Sequence, residues 1–188
     1  EVQGKNTEII LDAGSGIRQL GIDLMQGPCG QGQGTVHLLV SHTHWDHIMG
    51  FPFFTPAYAP GNQIIIYGRH PRIKERFQVQ HHPDHFPVSL ETMSANVKFV
   101  QLEEGAKVNI GEFTVSTIPL RHPGGSYSYK IEKNGRTFVY ATDAEYKGLR
   151  PKALEQYLAF YAKSEALVFD AQFTLEDAME KEGWGHSS

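Results

Sequence analysis

Four side chains able to bind a metal ion crowd into six positions of one stretch: His42, His44, Asp46 and His47, in Ser41-His42-Thr43-His44-Trp45-Asp46-His47. Imidazole nitrogens and a carboxylate, with no thiolate among them, suit Zn²⁺ or another divalent ion such as Mn²⁺ or Fe²⁺. The apolar run at 36–40 that precedes them reads as a buried strand. Alternate residues on chain leaving a strand point the same way, so His42 and His44 can reach one ion together. Asp46 and His47 fall where the chain turns, which aims them at a second point nearby. A structural metal clip normally closes with four ligands, often cysteines, and the single cysteine, Cys29, lies elsewhere. A His-rich surface loop is the plainer alternative, but four ligand types behind a buried strand favour a catalytic metal site.

The elements that must position these residues follow from the apolar pattern. A chain of 188 residues that is 40% apolar can bury a good core as one domain spanning 1–188. Its formal net charge of -4 gives no general attraction to nucleic acid or to an anionic membrane. No apolar run approaches membrane-spanning length, no signal peptide is visible, and one cysteine excludes an internal disulfide; the expected location is the cytoplasm. Cys29 sits in the Gly-rich stretch 27–34, where a mobile, inert thiol is expected. Strands are predicted at 8–11, 36–40, 63–67, 97–102, 107–110 and 113–118, with a further buried strand at 166–170. Asn134-Gly135 joins 127–133 to 136–141 with the dipeptide that a type I′ hairpin turn prefers. Helical spacing runs over 17–25 and 151–162, where Leu154, Tyr157, Leu158 and Tyr161 make a stripe expected in the core. Thr174 ahead of Glu176 and Asp177 reads as the cap of a short helix. Pattern alone therefore gives an α/β or α+β domain.

His-x-His-x-Asp-His after a strand resembles the signature of the metallo-β-lactamase superfamily, and four further pieces resemble it in the expected order. These are Asp12 in Ile9-Ile10-Leu11-Asp12-Ala13-Gly14, His122 before Pro123-Gly124-Gly125, Asp143 after Val139-Tyr140-Ala141-Thr142, and His186 in Gly185-His186-Ser187-Ser188. The resemblance implies a four-layer αββα sandwich with mixed sheets, here truncated at both ends, since related chains carry more strand before 8–11 and a helix after His186. It also implies a dinuclear site. His42, His44 and His122 would hold one ion and Asp46, His47 and His186 the other, with Asp143 bridging and Asp12 bracing the metal loop. Two such ions about 3.5–4 Å apart share and acidify a hydroxide and clamp a substrate oxygen. Counting two metals, two carboxylates and a hydroxide leaves one positive charge, which favours a small anionic substrate such as a phosphodiester.

Within the superfamily the chain most resembles the ribonuclease Z and cyclic phosphodiesterase branch, with two departures. Ribonuclease Z carries a His-Glu-Ala motif whose His aids proton transfer; here Phe169 stands at the His position and Asp170 at the Glu. Its long arm for transfer RNA would fall between His122 and Asp143, where 20 residues leave room only for the hairpin. The expected activity is thus a phosphodiesterase acting on a small, cyclic phosphodiester, and transfer RNA is not an expected partner. A lactone, β-lactam or thioester hydrolase of the same fold is the alternative enzyme. A metal-binding sensor or output module with decayed chemistry is the non-enzymatic one. Asp46, Asp170 and His85 are the residues assigned to catalysis; His82 and His85 are candidates for the proton donor that Phe169 cannot be. They belong to a segment, 68–87, rich in Arg, Lys and His, which reads mostly as a solvated helix and otherwise as a lid presenting cations to phosphate. The sequence leaves the oligomeric state open, a homodimer included.

Overall fold

Each β-branched apolar run forms a strand in the computed structural model of the chain, which describes residues 1–3 and 7–188. The chain divides into two compact units, Glu1–Leu102 and Glu103–Ser188, and each is built on one five-stranded mixed sheet.

In the first unit the sheet runs in sequence order: β1 (Val2–Gln3), β2 (Glu8–Leu11), β3 (Thr35–Leu39), β4 (Gln63–Gly68) and β5 (Asn96–Gln101). Only β1 is antiparallel; β2 to β5 pair in parallel. Parallel neighbours require a crossover between them. Those crossovers contain α1 (Ile17–Leu24), α2 (Trp45–Ile48) and α3 (Ile73–Gln80) with short 3₁₀ turns. The core is continuous: Ile10, Val36, Leu38, Ile64 and Ile66 from the strands pack with Ile17, Ile73 and Phe77 from the helices and with Phe51 and Phe54 from the turns. Helix α3 is the basic segment. Its Ile73, Phe77 and Gln80 are buried while Lys74 and Glu75 face water, so it is a surface helix with one inward stripe.

The second unit orders its sheet β10 (Ala166–Phe169), β9 (Arg136–Ala141), β8 (Ser126–Lys133), β7 (Phe113–Leu120) and β6 (Lys107–Ile110). All pairs but β9–β10 are antiparallel. Strand β7 alternates buried and partly exposed side chains along most of its length, the pattern of a sheet with one inward face. Asn134 and Gly135 both have positive φ, as the expected hairpin turn requires. Helices α4 (Pro151–Tyr161) and α5 (Leu175–Glu180) complete the unit, α5 capped by the Thr174 hydroxyl accepting from the Asp177 N–H at 3.1 Å.

Three expectations are corrected. The α4 stripe is not core: the helix has no buried residue, and Leu158 is 60% exposed. Strand β10 is not a buried strand, because it is the edge of its sheet and Leu167, Val168 and Phe169 remain exposed. Cys29 is not on a mobile loop. It is buried in a 3₁₀ turn, Pro28–Gln31, and burial pushes its thiol pKa up. Among the described residues no helix is long and apolar enough to cross a membrane.

Candidate metal centre

Strands β2 and β3 end in register, Leu11 beside Leu39, so Asp12 emerges next to the chain that continues into the metal loop. Asp12 has a φ of 56°, in the left-handed region where non-glycine residues are uncommon. That backbone turns its buried carboxylate onto the loop. Oδ1 accepts the Ser41 N–H at 2.6 Å, and Oδ2 accepts both the Ser41 hydroxyl and His47 Nδ1 at 2.7 Å. The bracing expected of Asp12 is what the structure shows. His42 Nδ1 donates to Ser41 Oγ at 3.1 Å, which leaves Nε2 outward. That nitrogen lies 3.1 Å from His44 Nδ1. After His44 the chain enters α2, whose first turn carries Asp46 and whose last carries His47; His47 Nε2 is 3.3 Å from Asp46 Oδ2. The four side chains of the motif therefore form two close donor pairs. Gly14 admits this packing: a Cβ there would lie 2.5 Å from the Asp46 carbonyl oxygen.

The second unit repeats the device. Strands β9 and β10 are parallel and end with Ala141 beside Phe169, so Asp143 and Asp170 emerge as neighbours. Asp143 also has positive φ, 46°. Its Oδ2 lies 3.8 Å from His122 Nε2 and 3.9 Å from His186 Nε2, a carboxylate placed between two imidazoles. His122, Asp143 and His186 each offer a ligand atom within 4.8 Å of the others. Asp170 is buried; it accepts the Ala144 N–H at 2.8 Å, the Gln172 N–H at 3.0 Å and His186 Nδ1 at 3.0 Å. His122 Nδ1 donates to the Gly185 carbonyl at 2.8 Å.

These donor sets fit divalent ions. Tetrahedral coordination with bonds of about 2.0–2.1 Å separates neighbouring ligand atoms by about 3.3 Å. The 3.1 Å and 3.3 Å pairs of the first unit match that, and the 3.8–3.9 Å distances of the second lie slightly above it.

Of the residues assigned to catalysis, Asp46 is in the metal loop and Asp170 is committed to the three hydrogen bonds just given. His85 lies exposed on the turn after α3, its ring 6.1 Å from that of His82. His81 turns inward and donates Nδ1–H to the Val88 carbonyl at 3.0 Å. Among the described residues His81, His82 and His85 form no three-donor group. Phe169 stacks on Tyr146 with centroids 4.9 Å apart. The Tyr146 hydroxyl is 2.6 Å from that of Tyr161, and burial raises both pKa values, Tyr161 to about 12.

Sequence reasoning missed Ser41, the Gly185 carbonyl and Arg76. Arg76 donates from Nη1 to Thr43 Oγ1 at 2.9 Å, so one cation of the basic segment is a brace on the metal loop. A signal existed only for Ser41, which sits one residue before the motif and beside a strand-end Asp.

The chain matches the family model described as Beta-lactamase superfamily domain over residues 7–188. No curated protein matches it. Among solved structures it is similar to the metallo-beta-lactamase fold protein YhfI from Bacillus subtilis, at 22% identity and a TM-score of 0.65, covering 91% of this chain and 61% of that one. This chain thus spans under two thirds of YhfI. Human tRNase Z, short form, is similar at 16% identity and a TM-score of 0.69, covering 100% of this chain and 76% of that one. Yeast PDE1 is similar at 15% identity and a TM-score of 0.69, covering 97% and 72% respectively. Family, fold and donor groups together support binding of a divalent metal ion. With the family matched across nearly its whole length, the chain belongs to the beta-lactamase superfamily and has the metallo-β-lactamase fold.

Proposed function

We propose that this chain is a dinuclear metal-dependent phosphodiesterase acting on a small, cyclic phosphodiester. The observation that carries the reading is Asp143, whose Oδ2 stands 3.8 Å and 3.9 Å from two imidazole nitrogens, as a shared ligand would. In this reading His42, His44 and His122 hold one ion, Asp46, His47 and His186 hold the other, and Asp143 serves both. A pair of divalent ions, zinc or alternatively manganese or iron, supplies an acidified water and a clamp for a substrate oxygen. The chain's own residues do the rest. Asp12, Ser41 and Asp170 fix the imidazole tautomers, and Arg76 steadies Thr43 between His42 and His44.

Two carboxylate ligands against two divalent cations leave net positive charge, which favours an anionic substrate and charge that grows in the transition state. The compact β8–β9 hairpin between His122 and Asp143, and a net charge of -4, support a small phosphodiester over transfer RNA. Phe169 can donate no proton to the leaving oxygen, and His85 is our candidate for that step. His85→Ala should slow turnover of an ester with a poor leaving group more than one with a good leaving group; an equal effect on the two esters, or none, ends its role.

The deciding experiment loads the metal-free protein with zinc or manganese, counts bound ions by elemental analysis, and assays a phosphodiester, a lactone, a β-lactam and a thioester in parallel. Two ions with preferential phosphodiester cleavage are expected. Preferential cleavage of a carbonyl substrate overturns the substrate assignment, and two ions with no hydrolysis favours a binding module.

A further inference from the structure

The short helix that carries Asp46 and His47 is amphipathic in an unusual way. Ile48 and, just beyond the helix, Phe51 are buried in the core. Trp45 and Met49, joined by the Met49 N–H donating to the Trp45 carbonyl at 2.7 Å, lie one turn apart and so share a face. That face is open: Trp45 is 61% exposed and Met49 47%. Asp46, whose Oδ2 is 3.3 Å from His47 Nε2, leaves the same turn and is exposed as well. The mount is rigid. Gln80 Nε2 donates to the Ile48 carbonyl at 2.7 Å, and the Gly50 N–H to the Ala13 carbonyl at 2.8 Å.

Single apolar side chains at a surface are ordinary. Trp45 differs in its place, because its chain neighbours on both sides, His44 and Asp46, are candidate metal ligands. An indole offers a flat π-face for stacking, and a thioether beside it packs well against ring edges. A second copy of the chain is the competing occupant, and the area is too small for it. Even with Phe53, 53% exposed on the following turn, the three side chains present roughly 350–400 Å², about half of what each partner buries in a stable interface. A two-fold contact here would also set the exposed Asp46 against its own copy, a like-charge contact.

We propose that Trp45, backed by Met49, is a specificity-determining residue that stacks on an aromatic ring carried by the substrate. The preferred substrate is then a phosphodiester bearing an aryl or heteroaryl group, and not the cyclic phosphate of a bare sugar. Trp45 takes no part in bond breaking; it binds the part of the substrate that does not react, so its loss acts on KM more than on kcat. This inference rests on the phosphodiesterase reading above.

The test compares phenyl phosphate with methyl phosphate, one ester with a ring and one without, binding to zinc-loaded protein by calorimetry. Phenyl phosphate is expected to bind roughly 5- to 150-fold the more tightly, the range for one ring stacked on an aromatic side chain. Trp45→Ala should abolish that preference and leave methyl phosphate unchanged, and Trp45→Phe should keep most of it. In Trp184→Phe, where Trp45 is the sole tryptophan, phenyl phosphate should change the indole emission with the same dissociation constant. Equal affinity for the two esters, or a Trp45→Ala that weakens both alike, overturns the inference and leaves the phosphodiesterase reading standing. A dimer in sedimentation that Trp45→Ala dissociates, with no preference between the esters, assigns the face to a second copy and overturns it too. Binding of neither ester removes the phosphodiesterase reading itself, and this inference with it.

Discussion

At the scale of single residues, the centre depends on carboxylates held in backbone conformations that most side chains avoid. Asp12 and Asp143 both have positive φ, where asparagine and aspartate are the best tolerated non-glycine residues. Asn at 143 should therefore keep the backbone while losing the charge. Asp143→Asn is expected to lower bound metal and to reduce turnover by at least the roughly 10–100-fold typical of disturbing a metal site. Elemental analysis and a steady-state assay check this; unchanged metal content at full activity would remove Asp143 from the site. Asp12 has a structural duty too, because Ser41 is fully buried and its N–H has Asp12 as acceptor. Asp12→Ala should cost about 1–3 kcal/mol, the penalty of an orphaned buried donor, measured by urea unfolding of the metal-free protein.

At the scale of elements, each unit positions its own donor side chains in the same way. Two parallel strands end level, and the aspartate just past one end ties down the loop that leaves the other: Asp12 on Ser41 beyond β3, Asp170 on Ala144 beyond β9. The packing around that device is tight on the β2 side. Gly14→Ala would drive a Cβ into the Asp46 carbonyl, and the loop must shift to relieve it. A loss of about 1–3 kcal/mol together with weaker metal binding is expected, read by unfolding and by metal competition. The β8–β9 hairpin provides the contrast. A Cβ at Gly135 would meet nothing, so Gly135→Ala pays only for its φ of 76°, about 1–2 kcal/mol, with metal affinity unchanged. The turn lies at the far end of β9 from Asp143, about 20 Å of strand away.

At the scale of the whole molecule, stability should depend on pH through histidines outside the metal loop. His37 and His81 have pKa values lowered by burial, relative to an exposed imidazole. The unfolded chain therefore takes up protons that the folded chain refuses, and stability is lost as pH falls below about 6.5. Unfolding midpoints at pH 7.5 and 5.5 test the sign, and His37→Gln should flatten part of the difference. Metal acts in the same thermodynamic sense. An ion that binds only the folded chain adds about 2.7 kcal/mol at a hundredfold excess over its dissociation constant, so chelation is expected to lower the melting temperature.

The sequence by itself determined most strands, the hairpin turn at Asn134-Gly135, and the types and order of the candidate metal-binding side chains. Those rest on local rules: period-two burial, the positive φ of a type I′ turn, and the ligand chemistry of imidazole and carboxylate. Burial of α4 and β10 was not legible, because an apolar stripe shows a face able to be covered without showing that it is covered. The grouping of His122, Asp143 and His186 was given by the family resemblance and not by any local pattern, since it depends on β9 and β10 ending level and on Gly185 lying close to His122. The bracing of His47 by Asp12 and of His186 by Asp170 was decided in the same way. Hydrogen bonds between residues 35 and 16 positions apart arise from strand pairing and chain return, and no local pattern in the sequence encodes them.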